Sequence, residues 1–446
     1  MPAKGKGPRQ GNRRRSPGPA AKAAKPKQAP PTNKQHANRK VEVQKPEPEP
    51  TEEEESTGLK LVSKIPRDLQ QLLLDVFKTA LLGETAVESE SASPDNEQQS
   101  GETKDKEEPL DIKALIQTIK GLLYQRDFDS AFTEANEDLL RAYALRWSSS
   151  RSLGYAGILK GVLSWMREEE EKNSRGRTRN ANPSTRVVSI GGGAGAEIVA
   201  LAAVQRDLDA EAQSLEQSVA DITLEEKEEK EEKKTEEDSL SARGLSVMAV
   251  DIGNWSSVVD RLSRTIFSAN VPFTMTTKYR SPLLSEKTSE LFSVDFRRAD
   301  VLNIPEEELR EFFLGASSSP FTSVLVPIMF TLNELFSTSM PKTTAFILRM
   351  TEILPVGAVL LVVDSPGSYS TLKLGKGPDG EPQERNYPMK FLLDHTLLSV
   401  AKGKWERVYT EESRWWRRDA VRLRYEVGEG AGLEDMRFQM HVYRRL

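Results

Sequence analysis

The sequence predicts an α/β fold: a mostly parallel sheet covered by helices on both faces, with an N-terminal helical cap and disordered tails and inserts. Three observations predict it. Beyond Arg186, apolar runs of strand length alternate with helix-length segments, the pattern of a parallel sheet buried on both sides. Upstream of it, apolar residues recur at helical spacing. Between these parts lie stretches rich in Pro, Glu, Lys and Ser, too poor in apolar surface to offset the entropy of ordering.

Residues 1–57 read as a tail that is first basic and then acidic. The first 45 residues hold 13 Lys and Arg against a single acid, Glu42, whereas the whole chain carries a net charge of −5. A basic arm of this kind suits phosphate backbones or nuclear import. The region 58–170 reads as helical, with an unstructured insert at 84–108. Its first stripe is Leu69, Leu72, Leu73, Val76, Phe77 and Ala80, with Pro66 suited to a first turn and Gly83 to a stop. A second runs through Ile112, Leu115, Ile116, Ile119, Leu122 and Leu123, and a third covers Asn136 to Trp147. These stripes predict a cap whose helices face a core. The sheet domain spans 183–446 and carries an acidic insert at 206–243.

Composition excludes several chemistries. The 446 residues include no Cys and only three His, at positions 36, 395 and 441. Disulfide frameworks, zinc ribbons, iron–sulfur clusters and thiolate nucleophiles are therefore out, and no metal centre is expected. His395 and His441 sit in apolar stretches and read as satisfied, buried histidines. The longest apolar stretch, Val356 to Val363, is too short to span a bilayer. The N-terminal residues lack the apolar core of a secretory signal. A soluble intracellular protein with no membrane partner is the expectation.

The predicted strands are Val187–Ile190, Leu245–Val250, Leu291–Phe296, Thr322–Val326, Ala358–Val363 and Phe438–Tyr443. Ligands of such sheets bind outside the carboxyl ends of the strands. After the first strand stands Gly191-Gly192-Gly193-Ala194-Gly195-Ala196-Glu197, leading into a helix. Glycines at 191, 193 and 195 let the backbone turn tightly and approach a ligand, and the helix start offers free N–H groups. After the second strand stands Asp251, suited to the two hydroxyls of a ribose. It lies 56 residues beyond Gly195; without the acidic insert the separation falls near the usual value of about 20. After the third comes Asp300, suited to an adenine edge, while Trp255 either stacks on adenine or packs. The loop fits a nicotinamide dinucleotide formally, but Gly195 and the lack of a hydride-transfer constellation favour S-adenosylmethionine. Ser189 stands where many such enzymes carry an acid, which leaves backbone carbonyls or another acid such as Glu197 for the donor's ammonium.

Several blocks carry a resemblance. Arg146-Trp147 with Ser150-Arg151 and Tyr155, VSIGGGAGAE, AVDIGNW, FTLNELFSTS (330–339), DSPGSYS (364–370), YPMKFLLDHTLL (387–398), Trp415-Trp416-Arg417 and MRFQMHVYRR together resemble the fungal S-adenosylmethionine-dependent methyltransferases that modify large-subunit (25S) ribosomal RNA at N3 of a uridine. The resemblance covers residues 59–446 outside the inserts. It implies a Rossmann-like class I methyltransferase sheet, ribosomal RNA or a pre-ribosomal particle as partner, and work in the nucleus or nucleolus, with the cytoplasm as a further location. Arg146 and Trp147 enter as candidate RNA contacts on this ground.

Chemistry tests the implied reaction separately. Methylation of pyrimidine carbon 5 needs a Cys nucleophile, and there is none. Exocyclic amine methylation uses a D/N-P-P-Y/F turn after the fourth strand, where this chain reads VPIMFTLNELF. The N3 imino group asks only for an oriented, flipped base and the removal of one proton. Asn333 for a base edge, Glu334 as proton acceptor, and Asp364 with Ser365 and Tyr369 stand at suitable strand ends. Against this, Asn333 to Phe336 also reads as a plain helix start. The stretch 402–446 holds 11 Lys and Arg interleaved with Trp405, Trp415, Trp416 and Tyr425, a composition suited to stacking bases and pairing phosphates. Trp415 and Arg417 are the candidate contacts there; on a strand the two adjacent tryptophans point to opposite faces, so one of them belongs to the core. Two alternatives stay open: an NAD(P)-dependent oxidoreductase, and a ribosome-assembly factor that binds a nucleoside without turnover.

Overall fold

A computed structural model describes residues 63–82, 110–174, 183–225, 243–272, 279–315, 321–367, 369–376 and 382–446. The tail 1–57 and the insert 84–108 lie outside the described residues. Among the described residues the strands are β1 (Ser184–Ile190), β2 (Gly244–Asp251), β3 (Phe292–Arg298), β4 (Ser323–Met329), β5 (Val359–Asp364), β6 (Tyr369–Lys376), β7 (Pro382–Pro388), β8 (Trp405–Trp416) and β9 (Met436–Arg445). Seven of them make one sheet in the order β3-β2-β1-β4-β5-β9-β8, and β6 pairs with β7 in a separate hairpin. The first five strands are parallel, while β9 runs antiparallel to β5 and β8. The strand order reverses between β1 and β4, so a crevice opens there at the carboxyl ends.

Side chains alternate across this sheet, and each face has its own core. Val187, Leu325 and Leu361 join one apolar cluster, whereas Val188, Val326, Leu360 and Val362 join the other. Strands buried on both faces have no polar side to show, which is why the runs read as continuous. β3 differs: beyond the buried Phe292, exposed and half-buried residues alternate along it, as suits an edge.

One face is covered by α1 (Arg67–Leu82), α4 (Ser149–Ser174), α5 (Ala196–Glu225) and α6 (Ser256–Ile266); α2 (Ile112–Gln125) and α3 (Glu137–Tyr143) complete the cap. The other face carries α7 (Glu306–Leu314), α8 (Leu332–Ile353) and α9 (Met389–Asp394). All six stripe residues of α1 are buried, and Asn136 caps α3 by accepting from the Leu139 N–H at 2.9 Å. The cap and the sheet share one core, in which Leu69, Phe77 and Tyr155 join Val187 and Leu361.

Other expectations need correction. α5 continues to Glu225, so the segment assigned to an insert from Arg206 begins as an ordered helix. Its docking explains this: the Lys160 ammonium on α4 donates to Asp207 at 2.7 Å and to Glu211 at 2.6 Å, and the Tyr279 hydroxyl donates to Asp207 at 2.9 Å. Residues 226–242 lie outside the described residues. Lys160 and Asp207 are buried, and breaking a buried pair leaves an uncompensated charge. Lys160→Met is therefore expected to cost about 3 kcal/mol in urea unfolding, with α5 loosened from α4.

His395 is exposed, not buried. The buried face of α9 and the π-helical turn after it consists of Met389, Leu392, Leu393, Thr396 and Leu397, which places position 395 on the opposite side, parallel to the Phe391 ring at 6.2 Å. His441 is fully buried, with Nδ1 2.7 Å from the Thr410 hydroxyl and Nε2 3.0 Å from Gln439 Oε1. Burial pushes its pKa down to about 4.

Candidate active site

The carboxyl ends of β1 to β4 open into a cavity of about 540 Å³, within the usual size of small-ligand sites. Its floor is the glycine loop. Gly191 and Gly195 both have positive φ, 79° and 83°, and a side chain at 191 would collide with Thr331. The Gly193 N–H donates to Asp251 Oδ2 at 3.1 Å, and the Gly253 N–H to Oδ1 at 3.0 Å. This ties the loop to the end of β2 and fixes the carboxylate at the cavity wall. Burial raises the Asp251 pKa from its ordinary value, against the pull of these N–H donors.

Gly191, Asp251, Trp255, Asp300 and Glu334 all line this cavity. Gly193 and Gly195 shape it through the loop. Trp255 is only 2 % exposed, and its ring packs against Phe132 and Tyr143 at 6.1 and 5.6 Å. Asp300 Oδ1 accepts from the Leu302 N–H at 2.9 Å, closing the turn after β3.

Glu197, in the first turn of α5, is 3 % exposed and lines the same cavity. Burial pushes its pKa up to about 7, helped by the Asp251 carboxylate and opposed by Arg151 and its own backbone hydrogen bond. A side chain at Gly192 would strike Ser189 Oγ and come within 3.6 Å of the Glu197 carboxyl carbon. The short Ser189, whose buried hydroxyl has no partner, thus sits across Gly192 from an acid delivered by the helix. Ser189, near the end of β1, is small where many such enzymes carry an acid, and the helix start brings the Glu197 carboxylate to the cavity.

The cap forms the roof, which the stripes did not reveal. Phe128, Asp129, Phe132 and Thr133, around a π-helical turn at Asp129–Thr133, line the cavity together with Tyr143, Arg151 and Tyr155. Arg151 Nη1 donates to the Tyr143 hydroxyl at 3.1 Å. Burial works against its charge, but the Tyr143 and Tyr155 hydroxyls and the Glu197 carboxylate outweigh that and hold it above the ordinary guanidinium range. Arg151 and Tyr155 belong to the sequence blocks quoted above, yet nothing in their spacing assigns them to the cavity.

The remaining candidates fall elsewhere. Asp364 is 4 % exposed; its carboxylate accepts from the Asn333 N–H at 3.1 Å and the Ser365 N–H at 2.7 Å. It thereby satisfies a free N–H at the start of α8, and neither it nor Asn333 lines the cavity. The Asn333 side-chain oxygen is buried without a partner. Ser365 and Tyr369 are exposed beyond β5, away from the cavity walls. Arg146 is buried, with Nη2 on Glu434 and with Nε and Nη1 unpartnered. Trp147 lies under its guanidinium at 5.4 Å. Trp415 is 49 % exposed with the Arg417 guanidinium 4.0 Å above its ring, whereas Trp416 packs against the core.

A glycine loop, a carboxylate at the next strand end and a second carboxylate at the helix start suit a nucleoside at one end and an ammonium at the other. The residues fit S-adenosylmethionine: Asp251 for the ribose, Asp300 for the adenine edge, Glu197 for the ammonium. The chain belongs to a family of S-adenosylmethionine-dependent methyltransferases, described as "Putative SAM-dependent methyltransferase", whose profile matches residues 96–444. Membership decides between the two cofactors left open by the loop, in favour of the methyl donor.

Among individual relatives, the 25S rRNA (uridine(2843)-N(3))-methyltransferase of Saccharomyces cerevisiae is 29 % identical over 385 residues, which cover 84 % of this chain and 85 % of that protein. This bears out the resemblance seen in the sequence blocks. Among solved structures, a SAM-dependent methyltransferase from Methanosarcina mazei is 12 % identical, with 58 % of this chain and 92 % of that one covered at a TM-score of 0.26. The N-methyltransferase NodS from Bradyrhizobium japonicum, in complex with S-adenosyl-L-homocysteine, is 10 % identical with 63 % and 87 % covered at a TM-score of 0.23.

Proposed function

We propose that this methyltransferase modifies N3 of a uridine in large-subunit (25S) ribosomal RNA. The observation that carries the reading is the similarity to the yeast enzyme over more than four fifths of both chains. Chemistry supports it as well. The chain has no thiolate for carbon 5 and no D/N-P-P-Y/F turn for an exocyclic amine. The bound donor supplies an electrophilic methyl group on sulfur. The protein's own task is then to orient the base, exclude water and let one proton leave N3 as its bond to carbon forms. Glu334, exposed at the cavity wall, is the proposed proton acceptor. The basic arm at residues 1–45 suits nuclear import and pre-ribosomal RNA, so the proposed place of action is the nucleus or nucleolus.

A nucleotide-resolved modification map of 25S rRNA tests this reading. Cells lacking the protein are expected to lose one N3-methyluridine, which the wild-type chain restores and Asp251→Ala does not. Defective subunits with an unchanged map would instead make the protein an assembly factor without turnover.

A further inference from the structure

A second cavity, of about 200 Å³, adjoins the cofactor cavity and is lined by Trp147, Ser150, Arg151, Phe330, Glu434, Asp435, Met436 and Arg437. Arg151 and Phe330 line both cavities, so the two cavities meet at these side chains. Resting on the activity proposed above, we infer that this second cavity receives the acceptor uracil, flipped out of its RNA strand.

Four observations carry the inference. First, its place is right: Phe330 follows β4, and Met436 and Arg437 begin β9 next to the carboxyl end of β5. It therefore opens on the active edge of the sheet, on the side away from the adenine end at β2 and β3.

Second, the residue at this junction is held in an unusual conformation. Phe330 has φ 57°, a left-handed value uncommon for a bulky side chain and concentrated at functional sites. Its ring lies where the two cavities meet, stacked with Tyr155 at 6.2 Å and with the Arg151 guanidinium at 5.0 Å. The Phe330 N–H donates to the Val363 carbonyl at 2.7 Å, which anchors the strained residue to β5.

Third, the lining matches uracil. The pairing edge of uracil presents acceptor, donor, acceptor at O2, N3–H and O4, whereas that of cytosine presents acceptor, acceptor, donor. Beside the carboxylates of Glu434 and Asp435, the cavity walls carry the guanidinium residues Arg151 and Arg437, donors suited to O2 and O4, which leaves N3 to face the methyl group and Glu334 in the first cavity. Flipped bases are read in this way, through hydrogen bonds to their pairing edge. The two carboxylates are held by Arg146 and Arg417, which keeps the wall from being an uncompensated negative patch.

Fourth, the rim suits a nucleic-acid strand. Arg437 lies 5.8 Å and Arg417 4.0 Å from the exposed Trp415 ring, and Arg417 also pairs with Asp435 at 2.8 Å. An exposed aromatic face flanked by guanidinium groups takes a neighbouring base and its phosphates.

The test uses the full-length chain on large-subunit ribosomal particles that lack the modification, with calorimetry of S-adenosylmethionine binding in parallel. Arg437→Ala and Glu434→Gln are expected to lower kcat/KM for the RNA at least tenfold. Asp435→Trp, which fills the cavity, should lower it more than a hundredfold. All three should leave the Kd for S-adenosylmethionine within twofold of wild type, which also reports that they fold. A 5-iodouridine at the target position should photo-crosslink to Trp147 or Phe330. Unchanged methylation by the three variants, or a crosslink confined to residues outside this cavity, overturns the inference while the activity stands. If wild type itself transfers no methyl group to uridine N3, the activity falls and the acceptor pocket with it.

Discussion

Gly193→Ala is expected to weaken S-adenosylmethionine binding more than a hundredfold and to lower stability by about 1–3 kcal/mol, the range for a forced fit in a packed site. A β-carbon at 193 would collide with the Trp255 ring and lie 2.7 Å from the Asp251 β-carbon. Neither neighbour can yield. Trp255 is fully buried against Phe132 and Tyr143, and Asp251 is the residue that the Gly193 N–H itself holds. The loop must move away, and the hydrogen bond that sets its distance from the ribose carboxylate breaks. Calorimetry of the donor and urea unfolding read the two effects. Gly121→Ala provides the contrast. It lies inside α2 with nothing within 4 Å of the added carbon, so a gain of up to about 1 kcal/mol in helix propensity and no change in donor affinity are expected. A Gly193→Ala variant that binds the donor normally would remove the loop from the site.

The two outcomes also mark what the sequence could express. The floor of the site was legible because each of its parts is a local rule: glycines where the chain turns left-handed, a carboxylate where a parallel strand ends, a helix start aimed at the ligand. Gly191, Asp251 and Asp300 meet around one cavity as those rules require. The roof follows no local rule. Tyr143 lies within the third stripe, whereas Arg151 and Tyr155 lie on α4, for which the sequence offered no stripe, and α4 is brought to the crevice by docking along α5 through Lys160 and Asp207. Such docking is a tertiary fact with no periodicity of its own.

Turn residues at strand ends misled in the other direction. Asp364 and Ser365 have the composition of a substrate loop, but a helix that starts beside a strand end also needs an acceptor for its free N–H groups, and Asp364 fills that need for Asn333. Neither use leaves a distinct mark in the residue types. β8 escaped notice for a related reason. It is an edge strand in which charged and exposed residues interrupt the apolar pattern, so its run resembles a solvated loop. The sequence did place Trp415 and Trp416 on opposite sides of any strand through them, and they are so arranged.

The largest pH effect should come from Glu197. Its carboxyl is buried at the cavity, with a pKa of about 7, well above the ordinary carboxylate value. Below pH 7 the group is mostly protonated and has no charge with which to hold an ammonium. A ligand that pairs with the ionised form must displace that proton, so affinity should rise with pH up to about 7 and then level off. The slope below pH 7 should approach tenfold per pH unit, the value for one coupled proton. Above about 8 the α-amino group of the donor itself loses its proton, and affinity should fall again. Donor binding is therefore expected to follow a bell between these two limits. Calorimetry at pH 6 in two buffers of different ionisation heat should detect close to one proton released per donor bound. Glu197→Gln keeps the shape and removes the titration: it should lose both the rising limb and the proton release, and bind at least tenfold more weakly at pH 7.5. A stability measurement on the ligand-free protein gives an independent check. A carboxyl whose pKa is raised by folding favours the folded state when protonated, so its contribution is present below the unfolded value near 4.5 and is lost as pH rises through 7. Wild type should then lose stability across that window relative to Glu197→Gln. If the variant retains both the slope and the proton release, the ammonium is held elsewhere, and the small residue at position 189 has some reason other than making way for Glu197.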